Sequence, residues 1–223
     1  MFFREDYSTP GPGLDPDAPE KTGPARLLEI VQSECGNLLK LNLLVLVSCL
    51  PIITIPPALF AMNQVVRAMI LDQPVDCFYH YRTAFRKYWK QSYAAFMLVA
   101  LPLALSGYGG FFYLRYAGEN SLFFLPFVLC STVFLVTLLA SPYLYGVLSL
   151  NVPLGKAVRL ALVLGIGRPL RGLLAVLACY GLTLAAILEF PISLLYLLMM
   201  GFSVPCLLGN FYIRTVLKQY CTS

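Results

Sequence analysis

Charge is what this sequence has least of. Of 223 residues only 12% are Asp, Glu, Lys or Arg, against about 25% in an ordinary soluble domain. Half the usual density cannot clothe a globule of this size in polar surface. A soluble domain is therefore excluded, and lipid must take the place of water around most of the chain. Histidine occurs once, at His80, which leaves no histidine-built zinc site. The cysteines (35, 49, 77, 130, 179, 206 and 221) form no Cys-x-x-Cys pair and no metal spacing. Four of them lie in apolar runs, where cysteine behaves as a small hydrophobe. Also missing are His-Glu-x-x-His, a Walker loop and Gly-x-Ser-x-Gly, and the short "GIG" at 165–167 is followed by Pro169 instead of an uninterrupted helix. The apolar stretches hold no pair of carboxylates and no His with Glu. The expectation is a protein that is not an enzyme and carries no cofactor or metal.

What is present is apolar: 59% of residues are hydrophobic and mean hydropathy is +0.75. Residues 1–24 hold five of the 16 prolines together with several acids, a composition that buries too little to order itself and reads as a flexible tail. It has no signal-peptide pattern. From Ala25 to Ser223 the chain reads as one helical membrane domain. Leu27, Leu28, Val31, Cys35 and Leu38 share a face at helical spacing, which predicts a helix lying along the membrane surface. Five apolar stretches follow, near 38–60, 93–114, 121–145, 172–190 and 192–210. A span needs about 20 residues. The fold class is thus all-α, a polytopic transmembrane bundle of about five spans.

Basic residues orient it. Arg67, Arg82, Arg86, Lys87 and Lys90 crowd segment 67–92, while Lys156, Arg159, Arg168 and Arg171 fall in 151–171 without an acid, and Arg214 and Lys218 follow the last stretch. Basic segments stay in the cytoplasm, so the C-terminus is cytoplasmic and five crossings put the N-terminus outside. A second topology is open: residues 38–50 and 57–70 form a re-entrant hairpin, and the N-terminus stays in the cytoplasm.

Pro51, Pro56 and Pro57 divide the first stretch. Each proline removes a backbone donor and frees the carbonyl one turn back, which in lipid needs another partner. Ser48 and Thr54 are near enough in sequence to help. Pro142 and Pro205 recur in a similar Pro-x-Leu setting, "PYLY" and "PCLL", echoing "PALF" at 57–60, so all five prolines are expected helix breaks, and the three settings suggest a loose repeat of bent span, basic segment and return span. Segment 77–92, "CFYHYRTAFRKYWKQS", gathers Phe78, Tyr81, Phe85, Tyr88 and Trp89 on one helical face with Arg82, Arg86, Lys87 and Lys90 around the rest. This describes an amphipathic helix in the headgroup layer, with Arg82, Arg86, Lys87, Trp89 and Lys90 docking on anionic lipid headgroups or a protein partner. Anchoring on both flanks argues against nucleic acid. Glu189 stands 18 residues after Arg171, about 27 Å along a helix, and so reaches the outer interface, where Lys40 or Arg115 is the expected ion-pair partner. Asn42, Asn63, Gln64 and Asn210 should face other helices.

"NLLKLNLLVLVSCLPIITIPPALFAM" at 37–62 resembles the opening span of the YesL-like family of bacterial membrane proteins of unknown function. "FYHYRTAFRKYWKQSY" looks like that family's aromatic-basic segment, although Arg86-Lys87-Tyr88-Trp89 replaces its Phe-Lys-x-Asn core, and "GFSVPCLLGNFYIRTVLKQY" is similar to its closing span and tail. The resemblance implies a bacterial cell membrane and an accessory role beside the permease subunits of carbohydrate (oligosaccharide) ABC-type uptake systems. The alternative reading of the residues is a small solute transporter or channel, with broken spans exposing carbonyls to a solute.

Overall fold

The computed structural model describes residues 23–71, 73–116, 121–150, 152–189 and 194–221. The expected tail over 1–24 lies almost entirely outside them. Among the described residues every regular element is helical, as the composition requires.

Helix α1 (Pro24–Ser33) meets α2 (Cys35–Cys49) at a bend of 72°. Its buried residue is Ile30, with Leu27 and Val31 partly covered and Leu28 turned outward, so the packed stripe is rotated from the expected one. A break at Pro51 and a 3₁₀ turn (Ile52–Thr54) lead into α3 (Ile55–Ile70). Pro56 and Pro57 occupy the first turn of α3, where the missing N–H would have had no helical partner. They start a helix instead of breaking one. The break leaves carbonyls that need donors, and hydroxyls supply them. Thr54 Oγ1 donates to the Ser48 carbonyl and, at 2.6 Å, to that of Pro51. The carbonyl four residues before Pro57, that of Ile53, accepts from the Tyr93 hydroxyl.

Helices α2 and α3 do not form one bent crossing. The Cys77 thiol at the start of α4 (Cys77–Lys87) lies 3.6 Å from the Asn37 carbonyl at the start of α2. The seven residues from Ile70 to Cys77 reach at most about 25 Å. A single broken span would separate Asn37 from Ile70 by roughly 50 Å. The two helices are therefore antiparallel, closed at Pro51–Thr54 and open beside α4. Their facing residues, Leu38, Leu41 and Val45 with Met62, Val65, Val66 and Met69, share one core cluster. The expectation of a single crossing over 38–60 gives way to the hairpin.

Helices α5 (Trp89–Tyr116) and α6 (Phe124–Leu148) run unbroken. Pro142 sits inside α6 without ending it. The carbonyl it frees, that of Leu138, accepts the Ser141 hydroxyl at 2.8 Å, which corrects the expectation of a break there. Pro102 likewise lies inside α5 without ending it. Helix α7 (Leu154–Gly167) returns along α6, approaching so closely at Gly165 that a Cβ would stand 3.1 Å from the Ala140 Cα. Arg168 then breaks the chain before α8 (Pro169–Val176), a π-helical turn (Leu177–Gly181) and α9 (Leu182–Leu188). Finally α10 (Leu194–Met199) and α11 (Ser203–Cys221) are separated by a tight turn. At Gly201 in that turn a Cβ would lie 2.6 Å from the Leu197 Cα, a distance no side chain tolerates. Pro205 stands in the first turn of α11, next to this break.

Four segments, Ile52–Ile70, Trp89–Tyr116, Phe124–Leu148 and Pro169–Leu188, are long and apolar enough to cross a membrane, and the pair α1–α2, bent by 72°, makes a fifth only if its two helices form one span. Half of the α3 window is buried inside the protein, against 11–22% for the other three. Helix α3 is thus the interior helix, packed against α2, α4, α5, α6 and α11, while α5, α6 and α9 turn residues such as Leu105, Leu125 and Leu188 outward.

The hairpin predicts which residues share a side of the membrane. Gly36 is exposed with open space around its Cα, and His80 is exposed on α4. In a cysteine-free background, Gly36→Cys and His80→Cys should react with an impermeant thiol reagent from the same side of native vesicles. Labelling from opposite sides would restore the single crossing.

Candidate functional site

A cavity of about 540 Å³ lies between α3, α5, α6, the π turn, α9 and α11, well within the roughly 300–1,000 Å³ typical of ligand pockets. Pro142 and Pro205 line it, but Pro51, Pro56 and Pro57 do not. The π turn brings Cys179 and Tyr180 to its wall. No feature of the sequence announces a π turn, and this part of the wall was not anticipated. Prolines and small residues flank it, but they flank ordinary membrane helices as well.

Most of the polar groups on this wall bond within the protein itself, the Tyr145 hydroxyl being the exception. Asn210 Nδ2 donates to Asn63 Oδ1 at 2.8 Å and to the Cys206 carbonyl at 2.9 Å, while Asn63 Nδ2 donates to the Leu59 carbonyl at 2.9 Å. Tyr180 donates to Ser141 Oγ at 3.1 Å, and Thr183 to the Cys179 carbonyl at 2.7 Å. Cys179 Sγ points at the Pro205 carbonyl, 3.3 Å away. What remains toward the space is apolar: Leu59, Met62, Phe96, Val99, Leu103 and Ile187 among others. Such a cavity suits an acyl chain or another apolar group better than a hydrated solute.

Asparagine 42 is fully buried and has a different task. Its Nδ2 donates to the carbonyls of Leu197 (2.9 Å) and Leu198 (2.7 Å), and its Oδ1 accepts from the N–H groups of Phe202 (2.9 Å) and Ser203 (3.3 Å). One carboxamide thus closes both sides of the α10–α11 break.

On α4 the aromatic face divides. Tyr81 and Phe85 of α4 and Trp89 and Tyr93 of α5 form a run of ring contacts at successive separations of 6.0, 5.2 and 5.6 Å, and Tyr88 meets Phe60 of α3 at 5.2 Å. Tyr81 is buried and Phe85 and Tyr88 are partly buried against the hairpin core, so much of this face packs on protein. Phe78 points outward. Arg82, Arg86, Lys87 and Lys90 are exposed, and Trp89 is partly so. Lys40 is exposed near Cys77, on which its charge acts, and Glu189 ends α9. No ion pair joins Lys40 and Glu189 among the described residues.

A second, smaller and more polar cavity of about 330 Å³ opens between α3, α4 and the end of α6. There Arg67 Nη1 donates to Ser149 Oγ at 3.1 Å, and Gln64 Nε2 donates to the Ser149 carbonyl at 3.4 Å.

Burial raises the Cys77 thiol from its ordinary value near 9 to about 11, with Lys40 opposing the rise, and the Tyr81 phenol from 10 to about 12. The unfolded chain ionises these groups first. Their contribution to stability is therefore complete below their ordinary values and is lost as pH rises through 11 and 12. With Cys77 as the sole cysteine, alkylation of the folded protein should stay slow through pH 9 and accelerate toward pH 11, whereas the chain unfolded in detergent should turn up near pH 9. A folded protein that turns up near pH 9 would show that Cys77 is open to water.

No curated protein and no solved structure matches the chain. Residues 38–108, which take in most of α2, all of α3 and α4 and the first part of α5, match the family described as "Protein of unknown function, DUF624", an assignment consistent with a membrane protein of an uncharacterised family.

Proposed function

We propose that this protein is a non-catalytic accessory component of the bacterial cell membrane that works by packing against another membrane-embedded protein. The observation that carries this reading is the internal use of its polar groups. Asn42, Asn63, Asn210, Ser141 and Thr54 close gaps in the protein's own backbone or bond one another. A solute path would need such groups turned toward its lumen, and the large cavity is walled by Leu, Val, Phe and Met.

The docking element in this reading is α4. Its aromatic side is held by the hairpin core, which fixes the helix rigidly while Arg82, Arg86, Lys87 and Lys90 face outward. Cations held this way suit an acidic surface of a partner's cytoplasmic loops or anionic headgroups. The resemblance to YesL-like proteins points to permease subunits of carbohydrate ABC uptake as that partner.

Photocrosslinkers placed at Arg82 and Arg86 in native membranes should capture a membrane protein of permease type, and that protein should co-purify in mild detergent. Lipid adducts alone at both positions would remove the protein partner. Saturable oligosaccharide flux into liposomes containing only this chain would favour the transporter reading instead.

A further inference from the structure

The apolar cavity inside the bundle has a direction. Gln91 near the start of α5 donates to the Val152 carbonyl just past the end of α6, and the Tyr143 hydroxyl donates to the Arg168 carbonyl just before α8. Helices α5 and α8 therefore both begin where α6 ends, beside the basic segments. Tyr145 lies within one turn of that end. Leu103 of α5 and Leu184 of α9 lie about four turns away from it. Between those two levels the cavity runs over roughly 16 Å, about half of a hydrocarbon core near 30 Å thick. Leu184 and Ile187 line the cavity and are exposed, whereas Met62 and Ile213 on its inner wall are buried. It thus opens sideways beside α9, where a spanning helix meets lipid, and is closed behind by α3 and α11.

From this geometry we propose that the cavity holds one acyl chain of a phospholipid from the leaflet beside the basic segments, with the chain's ester carbonyl accepting the Tyr145 hydroxyl. Three observations select that occupant. The cavity is as long as one leaflet is deep, and among the described residues no charged side chain lines it. Its asparagines, Tyr180 and Thr183 already bond within the protein, so its surface suits hydrocarbon. The Tyr145 hydroxyl alone has no partner among the described residues, and a half-buried donor of this kind gains from an acceptor brought in by a ligand. Its depth matches an ester. Helix α6 has 25 residues, about 37 Å against a hydrocarbon core of about 30 Å, which leaves its last turn at the boundary where ester carbonyls lie. A lipid held here needs no protein partner, so this site stands or falls apart from the accessory role.

The test uses the full chain in nanodiscs of ether-linked phosphatidylcholine, doped with a phosphatidylcholine that carries a diazirine midway along one tail. The probe is made in an ester-linked and an ether-linked form. After illumination, adducts are mapped by mass spectrometry. Both probes should label the outward residues Leu105 and Leu125 alike. The ester probe should also label the inner wall, at 59–63 of α3 and 205–213 of α11, about 5-fold more than the ether probe does. Tyr145→Phe, which keeps the ring, should abolish that preference. Ala100→Trp, which fills the cavity from α5, should cut inner-wall adducts about 10-fold and leave those at Leu105 and Leu125 unchanged. Adducts confined to the outward residues, or inner-wall adducts that survive Ala100→Trp, would overturn the site. Equal labelling by the two probes in the wild type would overturn the anchoring at Tyr145. Should Ala100→Trp fail to fold, the ester preference and its loss in Tyr145→Phe still decide the proposal.

Discussion

The fold depends on one carboxamide placed where water is absent. Asn42 bonds two carbonyls at the end of α10 and two N–H groups at the start of α11. In a membrane every backbone polar group must find a partner within the protein. Without Asn42, the break at Met200–Phe202 would leave that turn unsatisfied in an apolar setting. With it, α11 is set at an angle that lets Asn210 reach Asn63 and lets Pro205, Gly209 and Ile213 face the cavity. The distant chain segment 197–203 is thereby tied to the second helix of the protein, across more than 150 residues of sequence.

The same constraint explains the prolines. Around Pro51, Pro57 and Pro142 a hydroxyl takes up a carbonyl left without its helical donor: Thr54 at Ser48, Tyr93 at Ile53, Ser141 at Leu138. The remedies differ in reach. Ser141 precedes its proline directly, whereas Tyr93 comes from another helix and so locks α5 to the hairpin. A break repaired locally leaves the helix running, as in α6. At the Pro51–Thr54 corner the repair is shared between Thr54 close by and Tyr93 from another helix.

Much of this was legible in the sequence. Charge density and apolar runs gave the membrane class, the helical content and the positions of α5 and α6, because lipid imposes a length and composition that periodicity reads directly. Asn42, Asn63 and Asn210 were expected to face other helices, and they do. The pairing of α2 with α3 was one of two readings, since hydropathy counts apolar residues without showing which way a chain turns at Pro51. What decides it is a tertiary contact, Asn37 with Cys77. The inward commitment of Tyr81 and Phe85 was hidden for a related reason: an aromatic face signals burial, and composition does not distinguish lipid from protein. Proline was over-read at 142, where Ser141 repairs the helix. The π turn at 177–181 left no signature, because its setting is a tertiary one, with Cys179 packed against α11.

The most direct measurement is the unfolding free energy of Asn42→Leu, which keeps the bulk and removes the carboxamide. Each buried group left unpaired costs about 1–3 kcal/mol, so the variant should lose roughly 3 kcal/mol or more in a detergent-mediated unfolding titration. The neighbouring Asn37→Leu, whose side chain only bonds Glu34 one turn back, should lose less than about 1 kcal/mol. Equal losses in the two variants would mean that the α10–α11 break finds its partners elsewhere and that Asn42 does not hold the bundle together.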